Sequence, residues 1–343
     1  MPAMTTPPPV PRHPFLHHTL RAGLARLALA ALCLGTGAQA APLNLAVSNG
    51  PVSLLVYVAQ ANGYFQREGV EVAQRECSSG RQCMAMVNDG TNDVATAADL
   101  VSAVNSFNRP DGVVLATLSA SSYQIKLVGR RSAGVSTPGQ LRGKRVATAP
   151  GTSAQYFLNN WLLFYAIDPA SITLVPLAPD ALGNALEHRD VDAIAIWEPL
   201  ASNALRLLGE DGVTLPVPRV YTQHFNLVST RAAVAARRAD LVKLLRALVQ
   251  AQQFIQDNPE GAARTLMHRL GLSLPAAQAQ LKEHDYRVRL DQSLISTLSS
   301  QIRWAVREGQ VQAPASATPP NPLQVVEPAL LREASAAAVN FVK

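Results

Sequence analysis

The sequence predicts an α/β protein of two lobes, each a mostly parallel sheet flanked by helices, and three observations carry that expectation. Past residue 40, short β-branched runs alternate with helical ones. The order helix, turn, Asp-containing strand at 84–96 is echoed at 182–196, so two lobes of similar architecture are the simplest reading. With 343 residues, 48% hydrophobic and 16% charged, the chain is long enough for about two domains and too apolar for a disordered or fibrous protein.

The first forty residues carry Arg12, Arg21 and Arg26 with no acid, then the apolar run Leu27-Ala28-Leu29-Ala30-Ala31-Leu32-Cys33-Leu34, then Ala38-Gln39-Ala40. This pattern reads as a secretory signal peptide cleaved near Ala40, because the apolar run is far shorter than the roughly 20 residues of a membrane-spanning helix. A soluble, exported protein is expected. Cleavage removes three arginines and no acid, which lowers the formal charge from +6 to +3. That mild excess, with no Lys/Arg stripe interleaved with aromatics, gives no reason to expect a nucleic-acid partner. Cys77 and Cys83 then remain, an even count six positions apart in an oxidising compartment, which invites a disulfide.

Taken in order, strands are predicted at 43–47, 70–72 and 93–96, with helices at 53–61 and 81–88 between them. Asn62-Gly63 ends the first helix by a left-handed exit. Residues 144–147, 172–175 and 191–196 are strands of the second lobe, separated by helices at 153–166 and 180–188. Extended segments at 124–129 and 225–230 flank that lobe and read as hinge strands. The expected division is therefore signal peptide 1–40, first lobe 41–126, second lobe 127–225, and 226–343 returning to the first lobe. In the returning part, Leu241, Leu244, Leu245, Leu248 and Phe254 have the spacing of a core-facing helix, and Asp257-Asn258-Pro259-Glu260 caps the next one. A Pro/Ala/Ser-rich loop at 313–322 precedes a terminal helix at 329–338.

Open α/β sheets bind ligands beyond the carboxyl ends of their strands, so the loops there are the places to search. Gly151-Thr152-Ser153 lies between a strand and a helix, where free N–H groups and the helix dipole attract an anion; the alternative is that Ser153 merely caps the helix. Glu76-Cys77-Ser78-Ser79-Gly80-Arg81-Gln82 reads as the equivalent loop of the first lobe. Arg81 there can hold a sulfonate or carboxylate bidentately, or can be an exposed first-turn residue. Trp197-Glu198-Pro199 ends a strand, offering an apolar wall and an acceptor for an amine, or a core Trp and a surface ion pair. No P-loop, dinucleotide fingerprint, nucleophile elbow or acid–base pair appears, and His188, His224, His268 and His284 show no ligand spacing, so neither cofactor nor metal is expected.

Ala59-Gln60-Ala61-Asn62-Gly63-Tyr64-Phe65-Gln66-Arg67-Glu68-Gly69-Val70-Glu71-Val72 resembles a characteristic segment of substrate-binding proteins for nitrate, taurine, aliphatic sulfonates and pyrimidine precursors. Leu141-Arg142-Gly143-Lys144-Arg145-Val146-Ala147 and Trp197-Glu198-Pro199 resemble two more, in the right order. The resemblance implies a type II periplasmic binding protein that works as a monomer, closes on a small ligand and delivers it to an ABC permease and its ATPase. By carry-over, Ser53, Ser79, Gly80, Arg81, Ala97 to Asp99, Gly151, Thr152, Ser153, Trp197 and Glu198 would line the cleft, joined by Tyr123, Gln155 and Asn226. The cysteine-containing loop departs from the Gly/Ser-rich loop usual in that family. Two rival readings share the fold: an enzyme, desulfinase-like or pyrimidine-synthase-like, and a periplasmic sensor partner. Against the enzyme, Ser48-Asn49-Gly50 after the first strand holds no Cys.

Overall fold

The computed structural model describes residues 3–6, 8–9, 41–311 and 318–342. The signal-peptide reading lies almost wholly outside the described residues, as do positions 312–317 of the Pro/Ala/Ser-rich loop.

The first part of the chain forms β1 (Leu43–Ser48), β2 (Val72–Cys77), β3 (Val94–Ala98) and β4 (Gly112–Ser121). Then follow β5 (Ile125–Arg130), β6 (Arg145–Thr148), β7 (Thr173–Pro176), β8 (Ala193–Trp197), β9 (Gly212–Thr214) and β10 (Gln223–Thr230). One sheet has the order β2-β1-β3-β10-β4 and the other β7-β6-β8-β5-β9. In each, four strands run in one direction and one runs against them: β10 between β3 and β4, and β5 between β8 and β9. This is the mixed α/β, two-sheet architecture expected.

Position in the sheet explains the strand sequences. β3, β4 and β10 are buried at every residue, as internal or helix-covered strands are; β3 and β4 read as runs of Val, Leu, Ala, Ser and Thr without alternation, while β10 adds Gln223, His224, Phe225 and Asn226. Edge strand β2 instead alternates half-buried and exposed residues until Cys77 turns inward. The flanking helices used below are α1 (Leu54–Ala61), α2 (Gly80–Asn88), α3 (Asp99–Asn108), α4 (Ser153–Phe164), α5 (Leu200–Leu208), α6 (Arg238–Asp257), α7 (Pro259–Leu270) and α8 (Gln292–Arg307). Leu241, Leu244, Leu245 and Leu248 of α6 are buried in the first core, each contributing about 1.5–3 kcal/mol by its removal from water. Asn258 caps α7, its side chain accepting from Gly261 N at 2.9 Å.

A second core gathers Phe157, Leu158 and Trp161 of α4 with Leu100 of α3 and Trp304 of α8. Tyr156 stands edge-on to both Tyr221 and Trp304, at 5.0 and 5.3 Å between ring centroids. Thus α8, from the returning part of the chain, packs its aromatic end against the helix of the second sheet.

Segments 124–129 and 225–230 are extended, as β5 and β10, and each is a full member of its sheet because consecutive buried backbone groups need ladder partners; the chain passes between the sheets in the short links around Ser122–Gln124 and Leu215–Thr222. Other expectations are corrected. Strands β4 and β9 were not expected from the pattern. The first helix starts with a 3-10 turn, Pro51–Ser53, and α4 stops at Phe164 with Ala166 at φ 51°. The terminal helix ends at Ala334, after which Val339–Asn340 (β12) pairs with Leu290–Asp291 (β11). Finally, the loop following β2 leaves an edge strand, so its counterpart by topology is the loop after β7; the loop after β6 corresponds to the one after β1.

Candidate functional site

A small cavity of about 40 Å³ lies where the carboxyl ends of both sheets converge. The first sheet contributes Ser48, Asn49 and Val52 after β1, Ser79, Gly80 and Arg81 after β2, Ala98 and Val101 after β3, and Gln223 and Phe225 from β10. The second contributes Thr152 and Ser153 after β6, Trp197 and Glu198 after β8, and Gln124 just before β5.

Two helix N-termini point at this space, and their local chemistry differs. At α4, Gly151 adopts φ +65°, a left-handed turn that suits glycine, and its N–H donates to Gln155 Oε1 at 2.7 Å. Thr152, the residue before the helix, turns its Oγ1 back to donate to Ala149 O at 2.7 Å. Ser153 is therefore not the cap. The residue is only 3% exposed and lines the cavity, and its hydroxyl, beside Tyr221, makes no hydrogen bond of regular geometry. A buried hydroxyl without a regular hydrogen bond costs about 1–3 kcal/mol, a cost that a bound acceptor would remove. At α2, Ser79 Oγ accepts from Gln82 N at 3.3 Å, a regular cap. Gly80 sits so close to β3 that a Cβ would lie 2.9 Å from Ala97 Cα. Arg81 reaches across and donates through Nη1 to Pro150 O at 3.4 Å, linking α2 to the loop before α4.

One acidic side chain, Glu198, lines the same cavity. Glu198 is 3% exposed and Oε2 accepts from Ser202 N at 3.1 Å, inside α5. Burial pushes its carboxyl above the ordinary glutamate range, partly offset by the Ser202 hydrogen bonds and the Lys126 charge. Lys126 itself is paired to both carboxylate oxygens of Glu283, at 2.8 and 2.9 Å. Gln124 donates to Glu198 O at 3.0 Å, and its Oε1 lies 2.8 Å from His284 Nε2. Burial lowers the His284 pKa to about 4. Val52, Ala98 and Phe225, with Val101 against them, form a small apolar floor.

Of the residues expected at the cleft, Ser79, Gly80, Arg81, Thr152, Ser153, Trp197 and Glu198 are brought together on the cavity. The others are placed elsewhere by their own partners. Ser53 is buried and donates to Ser48 O at 2.7 Å. Ala97 is buried in β3. Asp99 is fully buried, accepting from Tyr221 Oη, from Leu100 N at 2.8 Å and from His224 N at 2.9 Å. Tyr123 Oη accepts from Arg219 Nε at 3.0 Å. Gln155 serves Gly151, which lies on an adjoining groove with Gln310, and Asn226 accepts from Thr117 Oγ1 at 2.8 Å. Ala98, within the expected run Ala97 to Asp99, also lines the cavity, whereas Ser48, Asn49, Val52, Val101, Gln124, Gln223 and Phe225 went unexpected. The rule of strand carboxyl ends does point to the loop after β1, but an apolar cavity wall has the same sequence signature as core.

Cys77 and Cys83 are joined in a disulfide. Among the described residues, no group of three or more His, Cys, Asp or Glu is placed to hold a metal, and no helix is long and apolar enough to cross a membrane.

Among known proteins, the chain is 26% identical over 249 residues to the taurine-binding periplasmic protein of Escherichia coli (strain K12), covering 71% of this chain and 73% of that one. Its fold matches the alkanesulfonate-binding protein SsuA from Xanthomonas axonopodis pv. citri, solved bound to MOPS, with a TM-score of 0.68 at 19% identity, over 89% of this chain and 100% of that one. The desulfurization enzyme DSZB shares the fold too, with a TM-score of 0.61 at 17% identity, over 86% and 99% of the two chains. The family model described as NMT1/THI5 like matches residues 51–262, more than half of the sequence and most of the strands that frame the cavity, and the chain belongs to that family.

Proposed function

We propose that this protein is the solute-binding component of an ABC importer, exported by its signal peptide to the periplasm, where it closes on a small organosulfonate and presents it to a permease and its ATPase. The observation that carries the reading is the buried Ser153 hydroxyl at the N-terminus of α4, which lines the same cavity as Arg81. A sulfonate there accepts from the Ser153 hydroxyl, from the free N–H groups of the first turn and from the guanidinium. The taurine-binding relative and the alkanesulfonate-binding fold match support that ligand class.

Glu198 narrows the class to sulfonates bearing an amine. Its buried carboxylate lies on the same cavity as Arg81, and an ammonium group is the partner that offsets its desolvation. Taurine has both groups. Closure follows because a ligand touching both sheets makes contacts that an open form lacks, so binding shifts the population to the closed form.

Two features favour binding over catalysis. The Cys77–Cys83 bridge leaves neither sulfur as a nucleophile, and the loop after β1 offers Ser48, Asn49 and Gly50 without a thiol. A thermal-shift panel of taurine, ethanesulfonate, nitrate and an aminopyrimidine tests the reading. Taurine at 1,000 times its dissociation constant adds about 4 kcal/mol, on the order of 6 °C for a chain of this size melting as one unit. Stabilisation by aminopyrimidine or nitrate alone, or turnover of a sulfinate, overturns it.

A further inference from the structure

The disulfide encloses the part of the site that the sheet holds least well. Cys77 ends β2, the edge strand of its sheet, and Cys83 lies in the first turns of α2. Both sulfurs are buried, whereas Ser78, Arg81 and Gln82 between them are exposed. Three of the five enclosed residues, Ser79, Gly80 and Arg81, line the cavity.

A bridge spanning six positions is poorly placed to stabilise the whole fold, because the restriction of the unfolded chain grows with the length of loop closed. It is well placed to fix a local geometry. The geometry in question is tight: Gly80 packs against Ala97 with no room for a methyl group, and Arg81 must extend from this turn to Pro150 O. The remaining ties of the loop are few. Gln82 Oε1 accepts from Ser78 N at 2.7 Å and from Ser78 Oγ at 2.9 Å, Ser79 Oγ caps the helix, and Asn49 N donates to Cys77 O at 3.3 Å. All but the last are bonds of the loop to itself.

From this arrangement we infer that the Cys77–Cys83 disulfide is a positioning element of the ligand site: it holds Ser79, Gly80 and Arg81 in the binding geometry before ligand arrives. The inference rests on the sulfonate-binding reading of the cavity. Without the bridge, the loop must be ordered at each binding event, and that ordering is subtracted from affinity. Neither cysteine need touch the ligand.

The test compares the oxidised wild type with the double variant Cys77→Ser/Cys83→Ser, using calorimetric titration with taurine, thermal melting, and amide hydrogen exchange of the ligand-free proteins. Expected are a Kd for taurine raised about tenfold or more, a melting temperature lowered by a few degrees, and faster exchange confined to about residues 77–86. Gly80→Ala, which leaves the bridge intact but forces the loop off β3, should weaken taurine binding to a similar degree and lower the melting temperature by a few degrees. A double variant that fails to fold, or that exchanges faster throughout the first sheet, makes the bridge a global structural element and overturns the inference. So does an unchanged Kd in a folded double variant. If the wild type itself does not bind taurine, the ligand reading fails on its own, and loop exchange in the ligand-free pair still decides whether the bridge holds the loop.

Discussion

Loop 78–82 and loop 149–152 each deliver a helix N-terminus to the cavity, yet one leaves an edge strand and the other leaves β6, which has β7 and β8 on either side. The difference decides how each is kept in place. The loop after β6 needs no cross-link: its strand is held from both sides, Gly151 makes the turn, and Gln155 and Thr152 tie it to the backbone within a few residues. Its two ends, Ala149 and Thr152, are buried. The loop after β2 stands out into solvent and carries a covalent bridge at its base. Rigidity at a binding site therefore comes from sheet position where the topology supplies it and from chemistry where it does not.

Substitutions that break one loop or the other sharpen the comparison. The largest effect is expected at Arg81→Ala, which removes a charge-assisted anion contact together with the link to Pro150. Titration should show taurine and ethanesulfonate both weakened about 100-fold, or roughly 3 kcal/mol, with melting almost unchanged because the side chain is exposed. A change within twofold would remove Arg81 from the site.

Next comes the buried acid. Glu198→Gln should weaken taurine by about 30-fold, roughly 2 kcal/mol, and leave ethanesulfonate within a few-fold, since only taurine carries an ammonium group. The pH dependence has a definite sign. Burial raises the carboxyl above its ordinary value of 4.5, and the ammonium binds the ionised form. Taurine affinity should therefore fall on acidification through that raised value, approaching tenfold per pH unit below it, and the Gln variant should lose the dependence. Without ligand the sign reverses: a raised carboxyl pKa favours the folded state at low pH, and that contribution is lost as pH rises through it.

Ser153→Ala is smaller but more diagnostic. Because the hydroxyl has no regular hydrogen bond to lose, melting should hold steady or rise slightly, while the Kd for both sulfonates rises about tenfold. The smallest effect belongs to Gly151→Ala. A left-handed φ of +65° costs an alanine about 1 kcal/mol, and the new methyl group meets only the flexible ends of Gln310 and Arg81 at 3.4 and 3.5 Å. Melting should drop by 2–4 °C with a few-fold change in Kd.

The sequence made the strand–turn–helix units legible because each change from period 2 to period 3.6 is punctuated by Gly, Pro or Ser. Arg81, Ser153 and Glu198 drew notice because ligands bind beyond the carboxyl ends of strands, but each also had a structural reading, and only the family resemblance joined them into one cleft. Other parts were hidden for physical reasons. β4 is buried along all ten residues and shows neither periodicity. Asp99 occupies the same kind of position as Ser153, yet Tyr221, from a crossover over a hundred residues away, draws it into the core. Val52, Ala98 and Phe225 look like any core residue, and Gln124 and Gln223 reach the cavity only because the crossovers run beside it.

The most direct measurement is a crystal structure of the protein with taurine. The account predicts a sulfonate oxygen about 3 Å from Ser153 Oγ with another facing the Arg81 guanidinium, and the ammonium about 3 Å from a Glu198 carboxylate oxygen. Taurine bound in the reverse orientation, or anywhere outside this cavity, would contradict it.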